Sequence, residues 1–182
     1  MTDSLKGQLL VASAGLVDPN FARTVVLVTE HGEEGAIGLV LNRPSTSAVE
    51  DAVPVLEPLA GADAPVYVGG PVQPDAVVVL AELEDPEDAA AIVFGTIGFV
   101  GLQDDEEPGR TDPLRTRVFA GYAGWGEGQL EEELAEDAWI LEPARPDDVF
   151  ADDPEELWRD VLRRKGGAYA VLALLPADPS VN

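Results

Sequence analysis

Thr24-Val25-Val26-Leu27-Val28-Thr29, then Glu30-His31-Gly32-Glu33-Glu34-Gly35, then Ala36-Ile37-Gly38-Leu39-Val40-Leu41: this stretch sets the fold. The first six residues are rich in β-branched Val, which suits a pleated strand. The middle is a polar turn carrying two glycines, and the apolar run resumes directly after it. Two β-type runs so close in sequence predict a hairpin.

Working outward, residues 8–12 form a short apolar run read as a strand, and Asp18-Pro19-Asn20 supplies turn chemistry before the hairpin. On the far side, Pro44 lacks an N–H and biases Arg43 toward extended conformations, so it is expected to end the strand. Ser45 and Ser47 then stand where they would cap a short helix near residues 48–53, limited by Pro54. Residues 66–68 and 77–83 read as strands separated by Gly69-Gly70-Pro71, which implies a sharp chain reversal or an exposed loop. Residues 92–94, 99–100, 118–122 and 139–141 add shorter strands. Residues 103–113, with five acids, read as a solvated loop.

Two helices stand out. One begins at Gly128, with Leu130, Leu134 and Ala138 recurring every four residues on one face. The other has Asp153 as N-cap, Pro154 at the first position, Glu156 at the capping-box position and Arg163-Arg164-Lys165 before Gly166, with Leu157, Trp158, Val161 and Leu162 as its buried stripe. Residues 171–175 read as a final strand. Many short strands with tight connections and few helices imply an α+β fold of the two-layer α/β type, a mixed, largely antiparallel sheet flanked by helices. Without repeats or long linkers, residues 1–182 are expected to form one domain.

The chain carries 11 Lys+Arg against 35 Asp+Glu, a formal charge of −24. Gripping nucleic acid through phosphates requires a basic face, so direct nucleic-acid binding is not expected, and anionic membrane surfaces are disfavoured for the same reason. At 46% hydrophobic residues the chain is nevertheless of globular composition. Zero cysteines remove thiolate nucleophiles, disulfides and zinc thiolate sites together and suit a reducing cytoplasm, where the protein is expected to work.

His31 is the only histidine, and beside Glu30, Glu33 and Glu34 it reads as part of a solvated hairpin tip. Gly124-Trp125-Gly126-Glu127-Gly128 superficially matches a phosphate loop, but Glu127 places negative charge where a phosphate would sit. It reads instead as a strand-to-helix corner covered by Trp125. Clustered carboxylates at residues 104–107 and 147–153 lack the spacing of a calcium loop, so no metal and no cofactor is expected. A more pointed set is Arg23, Asn42 and Arg43 with Gly69, Gly70 and Pro71. If the fold brings them together they form a cationic pocket on an acidic protein, suited to a small anionic ligand or a partner's carboxylate. On that reading Arg43→Ala spares folding and weakens binding.

The same residues carry a family resemblance. Gly7-Gln8-Leu9-Leu10-Val11-Ala12, Asp18-Pro19-Asn20-Phe21-Ala22-Arg23-Thr24-Val25, Glu34-Gly35-Ala36-Ile37-Gly38-Leu39-Val40-Leu41-Asn42-Arg43-Pro44, Tyr67-Val68-Gly69-Gly70-Pro71-Val72, and Gly121-Tyr122-Ala123-Gly124-Trp125 leading to Gln129-Leu130-Glu131 resemble the successive blocks of the YqgE/AlgH family, in order and over nearly the whole chain. The resemblance implies a bacterial α/β domain with a sheet core flanked by helices, and a label of transcriptional regulation. It adds Tyr122 and Trp125 to the candidate recognition residues. Many members have Leu-His on the strand after Gly-Gly-Pro-Val, where this chain has Val79-Leu80-Ala81, so chemistry needing that imidazole is not expected here. The favoured expectation is a noncatalytic binding or regulatory protein acting through a protein partner or small anionic ligand. The alternative is a small hydrolase or transferase using the same pocket.

Overall fold

In a computed structural model, which describes residues 3–61, 63–101 and 112–175, the hairpin forms as β2 (Val25–Gly32) and β3 (Gly35–Val40) around a two-residue Glu33-Glu34 turn. Its register runs from Val26 opposite Val40 to Gly32 opposite Gly35, with an irregularity between Val28 and Glu30. β1 (Gln8–Ala12) pairs antiparallel with β2. Side chains alternate across these strands: Leu9, Val11, Val25, Leu27 and Leu39 join one apolar cluster, Leu10, Ala12, Val26, Val28 and Val40 another. Because helices cover both faces, neither set can be polar, and the strands read as continuous apolar runs.

The remaining strands are β4 (Pro44–Ala48), β5 (Pro65–Val68), β6 (Val72–Glu82), β7 (Ala91–Phe94), β8 (Ile97–Phe99), β9 (Arg115–Trp125) and β10 (Trp139–Pro143). Together they make a curled ten-stranded sheet in the order β10-β1-β2-β3-β9-β6-β8-β7, with β4 and β5 branching from β9. Every pairing is antiparallel except β5 against β9, so the sheet is mixed and largely antiparallel, as the sequence implied. β9 is the pivot. Its end, Ala123 to Trp125, lies against β3, while Phe119 and Ala120 carry β5, and β6 runs along the opposite edge.

The helices are short: α1 (Val49–Ala52), α2 (Glu57–Ala60), α3 (Gln129–Ala135), α4 (Pro146–Val149), α5 (Leu157–Lys165) and α6 (Ala168–Leu172). α5 buries the expected stripe Leu157, Trp158, Val161 and Leu162 against β1, β2 and β3, and each such side chain contributes about 2 kcal/mol. α3 sends Leu130 into the cluster on the other face. Among the described residues no helix is long and apolar enough to cross a membrane.

Four local expectations are corrected. Pro44 starts β4 rather than ending extended structure, at a strand that among the described residues pairs only with β5, where a missing N–H costs little. Ser45 and Ser47 do not cap α1: Ser45 Oγ accepts the Ser47 N–H at 3.1 Å, and the N-cap is Ala48. α5 starts at Leu157, because the Glu156 N–H goes to the Asp153 carbonyl oxygen in a preceding turn and Asp153 makes no side-chain cap. Residues 171–175, read as a strand, lie in and just after α6; among the described residues no β-strand pairs with them, and a five-residue apolar run does not by itself distinguish strand from helix. The acidic loop expected at residues 103–113 lies mostly outside the described residues.

Candidate functional site

Residues 69–71 carry the chain across β9, from the edge that bears β5 to the edge that bears β6. Gly69 N–H donates to the Ala120 carbonyl oxygen (2.9 Å) and its own carbonyl accepts from Val40 N–H (2.8 Å), so it bridges the end of β3 and the middle of β9. A Cβ on Gly69 would run into the Gly121 carbonyl oxygen, and one on Gly70 into the peptide group joining Tyr122 and Ala123. Gly121, at φ +75°, reciprocates: a Cβ there would lie 2.5 Å from the Gly70 carbonyl oxygen. Two backbones touch without side chains between them. The expected reversal is therefore a buried crossing, with only Pro71 exposed.

Arg23, Asn42 and Arg43 gather at the neighbouring loop of residues 18–23 and turn inward. Asn42 Oδ1 accepts from Val25 N–H (3.0 Å) and its Nδ2 donates to the Arg23 carbonyl oxygen (2.9 Å), continuing the β2–β3 ladder with a side chain. Arg43 donates through Nη1 to the Asn20 carbonyl oxygen (2.6 Å) and through Nη2 to that of Ala22 (3.1 Å). Arg23, at φ +58°, lays its guanidinium 4.0 Å over the Trp158 ring and donates to the Leu175 carbonyl oxygen (3.2 Å). Burial pulls both arginines below the ordinary guanidinium value. These donors hold the protein's own carbonyls in place.

Tyr122 and Trp125 lie elsewhere, at a groove of about 750 Å³ over the end of the sheet where β2, β3 and β9 meet. Cross-strand register puts Glu30, Ile37 and Gly124 in one row on one face, with the pair Tyr122 and Val72 beside it. Ile37 is 37% exposed, high for a strand isoleucine flanked on both sides. Trp125 borders the groove but turns its ring to the opposite face, against Phe21 and Trp139. Glu30, Glu33 and Glu34 make the rim acidic. Gly124 differs from the crossing glycines: a Cβ there would sit 3.7 Å from Tyr122 Cε2 and 3.8 Å from Val72 Cγ2, ordinary contact, and its φ is not left-handed. Packing does not require glycine at this position, so its absent side chain leaves the groove floor open.

Below that floor, two α3 carboxylates fix the corner. Glu133 Oε2 accepts both indole N–H groups, Trp125 Nε1 and Trp139 Nε1, each at 2.8 Å, while Oε1 accepts from Gln129 Nε2 (3.1 Å). Gln129 Oε1 in turn caps Gly126 N–H at 3.0 Å. Glu131 Oε1 lies 2.7 Å from His31 Nε2, and His31 Nδ1 accepts the Leu5 N–H at 3.0 Å. That acceptance places the imidazole proton on Nε2, donated to Glu131. The His31 side chain is only 3% exposed, so the expectation of a solvated tip is corrected: the ring points under the hairpin into α3. The hydrogen bond from His31 holds the Glu131 carboxyl below its ordinary value. In an acidic helix neither glutamate stands out from its neighbours in the sequence. The available signal was that two buried tryptophans need acceptors, and Glu133 lies between them in sequence.

A family model described as AlgH-like, DUF179, matches residues 9–170. The chain belongs to the AlgH-like family. UPF0301 proteins of Streptomyces avermitilis and Streptomyces coelicolor are each 45% identical to this AlgH-like chain, over 98% of its length and 96% of theirs. Among solved structures, an X-ray structure of a Corynebacterium diphtheriae protein superimposes with a TM-score of 0.83 at 29% identity, covering 96% of this chain and 94% of that one. The solution structure of AlgH from Pseudomonas aeruginosa gives 0.71 at 34% identity, covering 97% and 96%. In this AlgH-like chain the Gly-Gly-Pro block and the Gly-Tyr-Ala-Gly-Trp block are the two halves of one backbone crossing, and the second block runs on into the groove floor.

Proposed function

We propose that this AlgH-like chain is a noncatalytic cytoplasmic binding protein whose recognition surface is the groove over Gly124, and that any regulatory role runs through a protein partner held there. The observation that carries the reading is the open floor: a glycine that packing does not require, exposed between Ile37, Tyr122 and Val72. Two further observations support it. The only imidazole has both nitrogens engaged, by Leu5 N–H and Glu131, leaving no lone pair for a general base beside the groove. The arginines expected to meet an anion are committed to backbone carbonyls, which favours a partner over a small anionic ligand. The net charge of −24 supports a route to regulation that does not touch nucleic acid directly.

The test is site-specific photocrosslinking in cells, with a benzophenone amino acid at Ile37 and, as control, at Ser47 on β4. Discrete crosslinked species from position 37, absent from position 47 and lost in a Gly124→Leu background, are expected. Crosslinks that ignore Gly124→Leu, or none from position 37, would refute the groove as a recognition surface.

A further inference from the structure

Resting on that groove reading, we infer the chemistry of the occupant: an extended segment of a partner protein that adds beside β9 and presents an arginine or lysine opposite Gly124. The first support is an open backbone edge. Past Tyr122, the pairing of β9 is with β3 alone among the described residues, through Ala123, Gly124 and Trp125. β6 leaves the other edge at Val72, and Pro71 before it has no N–H with which to continue the ladder. The sheet treats its β10 edge differently: Lys165 Nζ donates to the Leu141 carbonyl oxygen (2.7 Å) and Arg164 Nη2 to that of Pro143 (3.3 Å), so α5 covers acceptors that would otherwise recruit a strand. No such cover reaches β9 among the described residues.

The second support is the row Glu30, Ile37, Gly124, in which each residue is the cross-strand partner of the next. The next position in that row belongs to the added strand. Strands lie about 4.8 Å apart, so its Cα would be about 14 Å from that of Glu30, three spacings away. An arginine reaching about 7 Å, a glutamate reaching about 4 Å and a charge-assisted hydrogen bond of about 3 Å span that distance. The arginine stem would lie over Gly124 and Ile37, apolar surface of the kind such stems cover. A bulky side chain at position 124 would lift the stem off the sheet at its start, which gives the glycine a use that packing does not. The third support is charge complementarity: Glu30, Glu33 and Glu34 rim the groove on a chain of net charge −24. Backbone bonds along Ala123 to Trp125 supply affinity and the basic side chain supplies specificity, the division of labour in strand-addition recognition.

The experiment is selection of a random octapeptide display library on the full-length protein, with counter-selection on Gly124→Leu. A selected peptide is then synthesised and measured by fluorescence anisotropy. Expected are peptides with Arg or Lys at one fixed position, about tenfold weaker binding when that residue becomes Gln or Glu30 becomes Lys, and loss of binding when the edge-facing amides, but not the alternate ones, are N-methylated. No enrichment over Gly124→Leu, enrichment without a fixed basic position, or indifference to both N-methyl patterns overturns the inference, as does stoichiometric displacement of the peptide by spermidine. Thermal unfolding of Glu30→Lys and Gly124→Leu confirms that each is folded. Crosslinks from position 37 without basic peptides would sink only the strand-addition chemistry; absence of crosslinks sinks the groove itself.

Discussion

Glu133 offers a sharp test of the corner beneath the groove, because one oxygen atom accepts two indole N–H groups. Trp125 and Trp139 are 6% and 5% exposed, so neither donor has ready access to water once the carboxylate is removed. Leaving a buried donor unsatisfied costs about 1–3 kcal/mol, and two of them beside a half-buried helix give about 2–4 kcal/mol for Glu133→Ala. For a chain of this size that lowers Tm by about 4–16 °C. Glu133→Gln retains one acceptor for the indoles but turns an amide toward Gln129 Nε2, so it should cost about 1 kcal/mol, the worth of the one bond lost. Urea unfolding followed by tryptophan fluorescence reads both variants. The asymmetry of hydrogen bonding adds a control: Trp139→Phe should cost less in the Glu133→Ala background than in the parent, because it removes a donor already orphaned. A loss below about 1 kcal/mol for Glu133→Ala, or additive costs in the double variant, would refute the shared-acceptor account.

Three other outcomes follow from the same geometry. Glu131 titrates below its ordinary value in the folded state, so the His31 hydrogen bond adds stability above the ordinary carboxylate range and loses it as pH falls through the depressed value; Glu131→Gln should flatten the acid limb of a stability-versus-pH curve, and an unchanged limb would count against the pair. Gly70→Ala should cost more than about 4 kcal/mol or abolish soluble expression, whereas Gly124→Ala should stay within about 1 kcal/mol of the parent by urea unfolding; similar costs at both would undo the distinction between crossing and floor glycines. Arg43→Ala, expected from sequence to spare folding, should instead loosen residues 18–23 and speed limited proteolysis there, since two of that loop's carbonyls lose their donor.

The strands were legible wherever burial on both faces wrote long apolar runs, as in β1, β2 and β3, and the hairpin turn was legible because glycines bracket two acids. Elements held by partners distant in sequence were not. β4 exists because β5 is there to pair with it, and α6 is helical because the apolar stretch at residues 168–172 packs against α5 rather than against a strand edge. The candidate residues could be picked out of the sequence, but not which of them the fold brings together. Gly69 and Gly70 meet the backbone at Gly121 and Tyr122, but Trp125 turns to the other face of the sheet, and Arg23, Asn42 and Arg43 tie down a loop, because a guanidinium reads the same in sequence whether it awaits a ligand or holds a carbonyl. Glu133 was legible only indirectly, through the acceptors that two buried tryptophans need, because a third glutamate in an acidic helix is otherwise unmarked.

The arginines also explain how so acidic a chain can fold. Arg23, Arg43, Arg117, Arg159 and Arg164 each donate to a backbone carbonyl oxygen, often at a loop or helix end, and Lys165 does the same on β10. A guanidinium has five N–H donors in a fixed fork and can serve several carbonyls in neighbouring turns at once, whereas a side-chain amide has two donors and a carboxylate has none. Much of the small stock of positive charge is thus drawn into internal seams. Arg164, for instance, pairs with Asp148, itself 4% exposed. Among the described residues most carboxylates, having no comparable internal task apart from a few such pairs, are left outside. On the proposed reading a partner meets an acid-rich surface, and long-range attraction favours a basic segment before any contact forms. On the same reading the groove makes that preference positional, because the missing side chain at Gly124 would let such a segment reach Glu30.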